Sequence, residues 1–527
     1  MSDLNLPALA EVGKRNNDIK TPIAMQEINE AYIACGFGWF HIRLLAISFV
    51  GFVAGVLVSN STAYLLPSAE CDLNMSLVQK GLLNAIPYSG MLLSTVIAGF
   101  LTDTFGRKTF VTLGFGGMFI FMFISASSQT YEVLITAKFF EGILFATSFS
   151  AAVTLTTEYC HNRIRDQVFL CQSSFAAIAQ IIIAAMSFAI LMNDWKFNLG
   201  GFLELNTWNF YLYLMSLWSV SACLLYTIFI PESPKYLITQ KKFNEARNIL
   251  IKMYTMNTGK PENTFPYPNL WKDKLPQQVE EASKENLCKA FKHQIVVGLR
   301  NVKPMFRRPL VLYLLMISFS QFLIMGVYNV LRLWYPQLST IVEHYSTGTN
   351  SNLCSMLDAY TADLKTAVTN SSSSDVCVVT PSGAETYINS MIIGCVCLLP
   401  YFVSGVIVNR VGKKPLLIAA GVITTAITLS VQWANSKAAI VSLFAIDTAV
   451  GQVLLSLNQA LTVELFPTTT RTLAISMIMV AGRIGTLTAN VAFPVLLDMG
   501  CGVPFFTLTG MVMCVTAISL FLPSAKK

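Results

Sequence analysis

Long apolar runs recur from residue 42 almost to the C-terminus and limit what this chain can fold into more than any other feature. A helix needs about 20 predominantly apolar residues to cross a bilayer. Twelve stretches qualify: 42–66, 78–101, 109–127, 133–156, 168–192 and 209–230, then 309–335, 386–408, 415–434, 438–463, 471–497 and 503–522. Charged residues make up only 12% of the chain against 54% hydrophobic, where soluble domains carry about twice that charge. The pattern predicts an all-α membrane protein with 12 transmembrane helices. It excludes a disordered chain, a collagen, a small disulfide scaffold and most soluble enzymes. The net charge of +7 sits on basic residues between the runs, with no aromatic-interleaved basic face. A lipid bilayer is the expected surrounding, and no nucleic acid is expected as a partner.

Two long connections divide the chain. Residues 231–308 carry 15 Lys or Arg against 7 Asp or Glu, whereas 336–386 carry Lys365 against five acids. The positive-inside rule puts the first in the cytoplasm and the second outside or in a lumen. The expected organisation is a cytoplasmic tail 1–41, a six-helix bundle 42–230, a basic linker 231–308 with short amphipathic helices, a second bundle 309–522 and a tail 523–527. Both termini are then cytoplasmic. The first 41 residues lack the apolar core of a cleavable signal peptide, so the first span is expected to be an uncleaved insertion signal.

Asn74-Met-Ser and Asn370-Ser-Ser fall on the non-cytoplasmic side as glycosylation acceptors, whereas Asn60-Ser-Thr falls inside a span. Cys354 and Cys377 flank a Ser-rich run in the same oxidising compartment, and a disulfide between them is expected, with Cys71 as a competitor for either.

The chain also repeats itself. Gly99-Phe-Leu-Thr-Asp103-Thr-Phe-Gly106-Arg107-Lys108 follows the second span, and Gly405-Val-Ile-Val-Asn409-Arg410-Val-Gly412-Lys413-Lys414 follows the eighth, 306 residues later. Glu158 and Arg165 at the end of the fourth span match Glu464 and Arg471 at the end of the tenth, at the same offset of 306. Two matches in one register predict pseudo-symmetric halves. Small residues such as Gly99 allow close helix approach in lipid, and Gly106 suits a tight turn. Asp103 can cap a helix or pair with a basic residue across the halves, and the basic residues anchor the loops. These residues are read as gating elements.

The first of these repeats resembles the signature of the major facilitator superfamily. Pro231-Glu232-Ser233-Pro234-Lys235-Tyr236-Leu237 resembles a motif shared by sugar porters, organic ion transporters and the synaptic vesicle glycoprotein 2 group. Trp195-Lys-Phe197, Gly200, Trp208, Thr462-Val-Glu464-Leu-Phe-Pro467 with Arg471, and Leu66-Pro67-Ser68-Ala69-Glu70 are most similar to that last group. The resemblance implies two six-helix bundles around a central cavity and alternating access for a small organic solute. It implies a monomer, no cofactor and a plasma or vesicle membrane.

Arg483 lies mid-way along the eleventh span, where a charge costs roughly 2.5–3.5 kcal/mol unless it faces protein or water. It resembles a cavity-facing basic residue of organic anion transporters. Asp447 in the tenth span is expected to bind a cation or proton, or to neutralise Arg483. Together they suggest a zwitterionic or amphiphilic solute. Asn60 and Gln459 are further polar candidates for the solute site. Lys138 stands where the superfamily carries an Arg. With Glu141 one turn on, it is either a proton-coupling or gating element or a self-neutralised pair. His41, His161, His293 and His344 are scattered, so no metal site is expected. No grouping proposes an enzyme.

Departures from the resemblance keep a second reading open. Gly55 and Val58 align where the vesicle glycoproteins have acids in the first span. Asn409 and Thr104 replace a frequent Asp and Arg, and 336–386 is too short for the large luminal domain of those glycoproteins. The alternative is a protein of the same fold acting as regulator, sorting factor or receptor.

Overall fold

The computed structural model describes residues 23–200, 203–267, 270–271, 308, 310–345, 352–369, 382–400, 411–466 and 468–523. Among these, ten helices are long and apolar enough to cross a membrane. The first bundle contains α2 (Trp39–Ala69), α3 (Leu77–Phe105), α4 (Arg107–Ala126), α5 (Tyr131–Glu158), α6 (Asn162–Leu191) and α7 (Thr207–Phe229), preceded by α1 (Ile23–Cys35). The linker begins with α8 (Pro234–Thr239) and α9 (Phe243–Thr258). The second half has α10 (Leu310–Tyr345), α11 (Leu353–Thr369), α12 (Ala384–Val396), α13 (Lys413–Ser430), α14 (Lys437–Leu465), α15 (Thr468–Asp498) and α16 (Gly502–Phe521). Helices α3 and α12 stand at the second and eighth expected spans, and residues 401–408 of the eighth lie outside the described residues.

Local chemistry sets the helix starts. Ser76 and Gln79 close a capping box ahead of α3, and Ser436 accepts from the Ala439 N–H ahead of α14. Gly106 and Gly412, in the repeat register, turn the chain into α4 and α13 at φ +95° and +92°, a region that favours glycine. The two bundles meet through α3 against α15, α6 against α12 and α2 against α10. Gly142 on α5 comes so close to α3 that an added Cβ would lie 2.0 Å from the Pro87 carbonyl oxygen, and Gly485 on α15 stands the same way against Phe322 on α10.

Three features differ from the sequence expectation. The tail 1–41 contains α1, whose Ile28, Ala31, Tyr32 and Cys35 form a buried stripe at helical spacing packed with α9. Its polar neighbours hide that stripe in a simple hydropathy count. A hairpin, β1 (Lys196–Leu199) antiparallel to β2 (Leu203–Asn206), interrupts the helical plan between α6 and α7. Finally, Cys354 bonds to Cys501, with Cα atoms 5.1 Å apart, and not to Cys377. The reason is that α11 folds as a helix over its own bundle: the Leu353 N–H donates to the Ala434 carbonyl, and Asp358 accepts from the Cys501 N–H. Cys71 is also disulfide-bonded, and Cys377 lies outside the described residues.

Candidate functional site

A cavity of about 350 Å³ lies between the bundles, lined by side chains of α2, α3, α5 and α6 from one half and α10, α12, α14 and α15 from the other. Its wall is aromatic (Tyr64, Tyr88, Phe145, Phe149, Tyr328, Tyr335), with amides from Asn60, Gln180, Asn329 and Gln452. Among the described residues, two charged ones line it, Arg332 and Arg483. Arg483 Nη1 donates to the Met91 carbonyl at 2.8 Å. Arg332 Nη2 donates to the Tyr88 hydroxyl at 3.1 Å and to Asn329 Oδ1 at 2.9 Å, while its carbon Cζ sits 5.2 Å from the centre of the Tyr328 ring. Asn329 in turn donates to Thr486 at 2.9 Å, tying α10 to α15. Both guanidiniums therefore reach from the second half to α3 in the first.

The expected solute residues divide. Asn60 and Arg483 are at the wall; Asp447 and Gln459 are not. Asp447 is buried and accepts from Thr428 Oγ1 at 2.9 Å in a narrow crevice among α10, α13, α14 and α16. Gln459 stands behind the cavity, donating to the Met479 sulfur at 3.5 Å. Lys138 and Glu141 are 0% exposed, form an ion pair at 2.8 Å and do not line the cavity. Ser125 donates to Glu141 at 2.5 Å, and Lys138 donates to Ser61 at 3.3 Å, so the pair ties α4 and α5 to α2 beside Asn60.

The repeated motifs make matching contacts in the two halves. Arg107 pairs with Glu158 at 3.0 Å, and Lys413 pairs with Glu464 at 2.9 Å. Lys108 Nζ donates to the Thr227 carbonyl at the end of α7, and Lys414 Nζ to the Leu520 carbonyl at the end of α16, where cations suit helix C-termini. Glu232 accepts from the Lys108 N–H at 3.2 Å and stands against Gly106, so the Pro231–Leu237 motif packs under the loop. Burial, with Arg165 nearby, holds the Lys235 ammonium below its usual pKa. Arg165 is exposed at the start of α6, and Arg471 is partly buried at the start of α15. Gly99 and Asp103 lie near the end of α3, where side chains are not described; Asn409 and Asn370 lie outside the described residues. Asn74 is exposed in the turn after α2.

Sequence reasoning missed Arg332 and Lys80. Both are charges within expected apolar spans, the same signal that marked Arg483. Lys80, on the face opposite the repeated motifs, is 0% exposed, pairs with Glu70 at 2.5 Å and donates to the Tyr360 hydroxyl of α11 at 3.2 Å. That contact joins the halves on that side.

The Major Facilitator Superfamily profile matches residues 47–362. Synaptic vesicle glycoprotein 2B of Rattus norvegicus is 26% identical over 251 residues, 47% of this chain and 36% of that protein. Synaptic vesicle glycoprotein 2C of Mus musculus is 27% identical over 251 residues, 47% of this chain and 34% of that one. The chain thus matches about a third of the length of these relatives. Among solved structures, the inward-open xylose transporter XylE from E. coli aligns with TM-score 0.62 at 17% identity, covering 92% of this chain and 97% of that one. The nucleoside transporter NupG aligns with TM-score 0.56 at 10% identity, covering 92% and 99%. With two bundles related by a 306-residue repeat, matched loop ion pairs and a cavity between the halves, the chain belongs to the major facilitator superfamily.

Proposed function

We propose that this protein is a secondary active transporter of a small organic solute, working by alternating access as a monomer. The observation that carries the reading is the central cavity lined by both bundles. A solute held there contacts both moving parts, as transport between two openings requires. Asn60 and Arg483 contact solute. Arg107–Glu158, Lys413–Glu464 and the loop residues Gly99, Asp103, Gly106, Lys108, Arg165, Asn409 and Arg471 tune switching. Lys138 and Glu141 are the coupling candidates if protons drive the cycle, acting through Ser61 on the helix that carries Asn60. Both termini and the basic linker face the cytoplasm, with Asn74 and Asn370 on the far side, in a plasma or vesicle membrane.

The test is uptake and counterflow by purified protein in proteoliposomes, against a panel of organic ions, sugars and nucleosides. Transport is expected for at least one class and is lost on Arg483→Ala with unchanged reconstitution. A protein that binds or moves none of them is a regulator or receptor built on the same fold.

A further inference from the structure

Among the described residues the charge at the cavity has no counterpart: Arg332 and Arg483 line one space, and no described Asp, Glu, Lys or His side chain joins them at its wall. Among the described residues no carboxylate lies within ion-pair distance of either. Asp447, expected to neutralise Arg483, is engaged with Thr428 in a different crevice. The partners the guanidiniums do have are neutral: the Met91 carbonyl for Arg483, and the Tyr88 hydroxyl and Asn329 Oδ1 for Arg332. The Met91 carbonyl that takes Arg483 is already shared with the hydroxyls of Ser94 and Thr95. The Tyr88 hydroxyl that takes Arg332 also reaches Asn329 at 3.4 Å, and Arg332 Nε has no hydrogen bond.

A low-dielectric cavity whose described charged side chains are both guanidiniums disfavours cations. A carboxylate or sulfonate compensates that positive charge and makes charge-assisted, bidentate bonds stronger than those to a phenol or a peptide carbonyl. Tyr88 and Met91 are three residues apart on α3 and so share one helix face, which brings both guanidiniums to the same stretch of that helix. The tyrosine and phenylalanine wall suits an apolar or aromatic body, and 350 Å³ suits a small one.

We infer that the solute is a small organic anion. Its acid group is bound jointly by Arg332 and Arg483, and it draws both guanidiniums off Tyr88 and Met91, loosening the hold of the second bundle on α3. This rests on the transport reading and gives it a substrate class and a trigger.

The experiment uses full-length protein in nanodiscs for calorimetric binding and in proteoliposomes for uptake. The probes are benzoate, 3-phenylpropionate and benzenesulfonate, the neutral amides of the two carboxylates, benzylammonium and xylose. At least one acid is expected to bind, with its neutral counterpart about tenfold weaker or worse. Arg332→Gln and Arg483→Gln should each weaken acid binding by roughly tenfold or more, as loss of a hydrogen bond to a charged group does. Arg332→Lys and Arg483→Lys keep the charge and should retain part of it, which separates charge from folding. Tyr88→Phe removes a competing acceptor and should leave acid binding intact or tighter; weakened binding there overturns the displacement. Failure of every acid to bind, equal binding of acid and amide, or unchanged acid binding in both Gln variants overturns the anion assignment. Uptake of xylose or benzylammonium with no acid binding overturns it while leaving the transport reading in place. Acid binding without uptake or counterflow keeps the assignment and overturns transport.

Discussion

At the residue scale, position inside the bundle decides what a charge does. Lys138 and Glu141 carry opposite charges one turn apart and neutralise each other away from the cavity, whereas the described partners of Arg332 and Arg483 at its wall are neutral. Breaking a buried pair leaves one uncompensated charge, so Lys138→Met and Glu141→Leu should each destabilise the protein by about 3–5 kcal/mol, and the double variant by clearly less than their sum. Thermal unfolding followed by size-exclusion chromatography reads this; additive losses would show that the two groups act separately. Gly142 makes a similar point through space and not charge. Gly142→Leu has no room beside the Pro87 carbonyl, so folded yield should fall sharply, while the same change at Gly510, which has open space, should be tolerated.

At the element scale, α11 shows how a short stretch outside the spans comes to matter. Its first turn is bonded to Cys501, Lys365 pairs with Asp498 at its far end, and Tyr360 covers the buried Lys80 of the other bundle. Peptide mapping under non-reducing conditions should recover a Cys354–Cys501 cross-link that survives Cys377→Ser; a Cys354–Cys377 peptide would refute that placement. Tyr360→Ala uncovers Lys80 and should raise its modification by amine-reactive reagents in the purified protein; unchanged modification would show that Tyr360 does not shield it.

At the scale of the whole molecule, the two halves carry the same ion pair at the same register, Arg107–Glu158 and Lys413–Glu464. Arg107→Glu should impair uptake, and adding Glu158→Arg should restore much of it. The same exchange at Lys413 and Glu464 should behave alike, since the duplicated loops do one job in each bundle. Restoration in one half alone would show that the symmetry is one of ancestry without shared function.

Much of this was legible in the chain itself. Apolar length specified the helices, because a backbone in hydrocarbon must satisfy its polar groups internally and uninterrupted apolar runs of about 20 residues do so as helices, and the 306-residue register showed the duplication. Arg483 and Asn60 could be marked because a polar group in an apolar run must face something other than lipid. Tertiary structure alone decided which polar group faces which neighbour. Asp447 and Arg483 look like partners along the chain, yet α14 turns Asp447 toward Thr428 while α15 turns Arg483 toward Met91. Cys354 has Cys377 near in sequence and Cys501 near in space. Helix rotation and the path of α11 are set by packing among many helices at once, and no local pattern of residues encodes that sum.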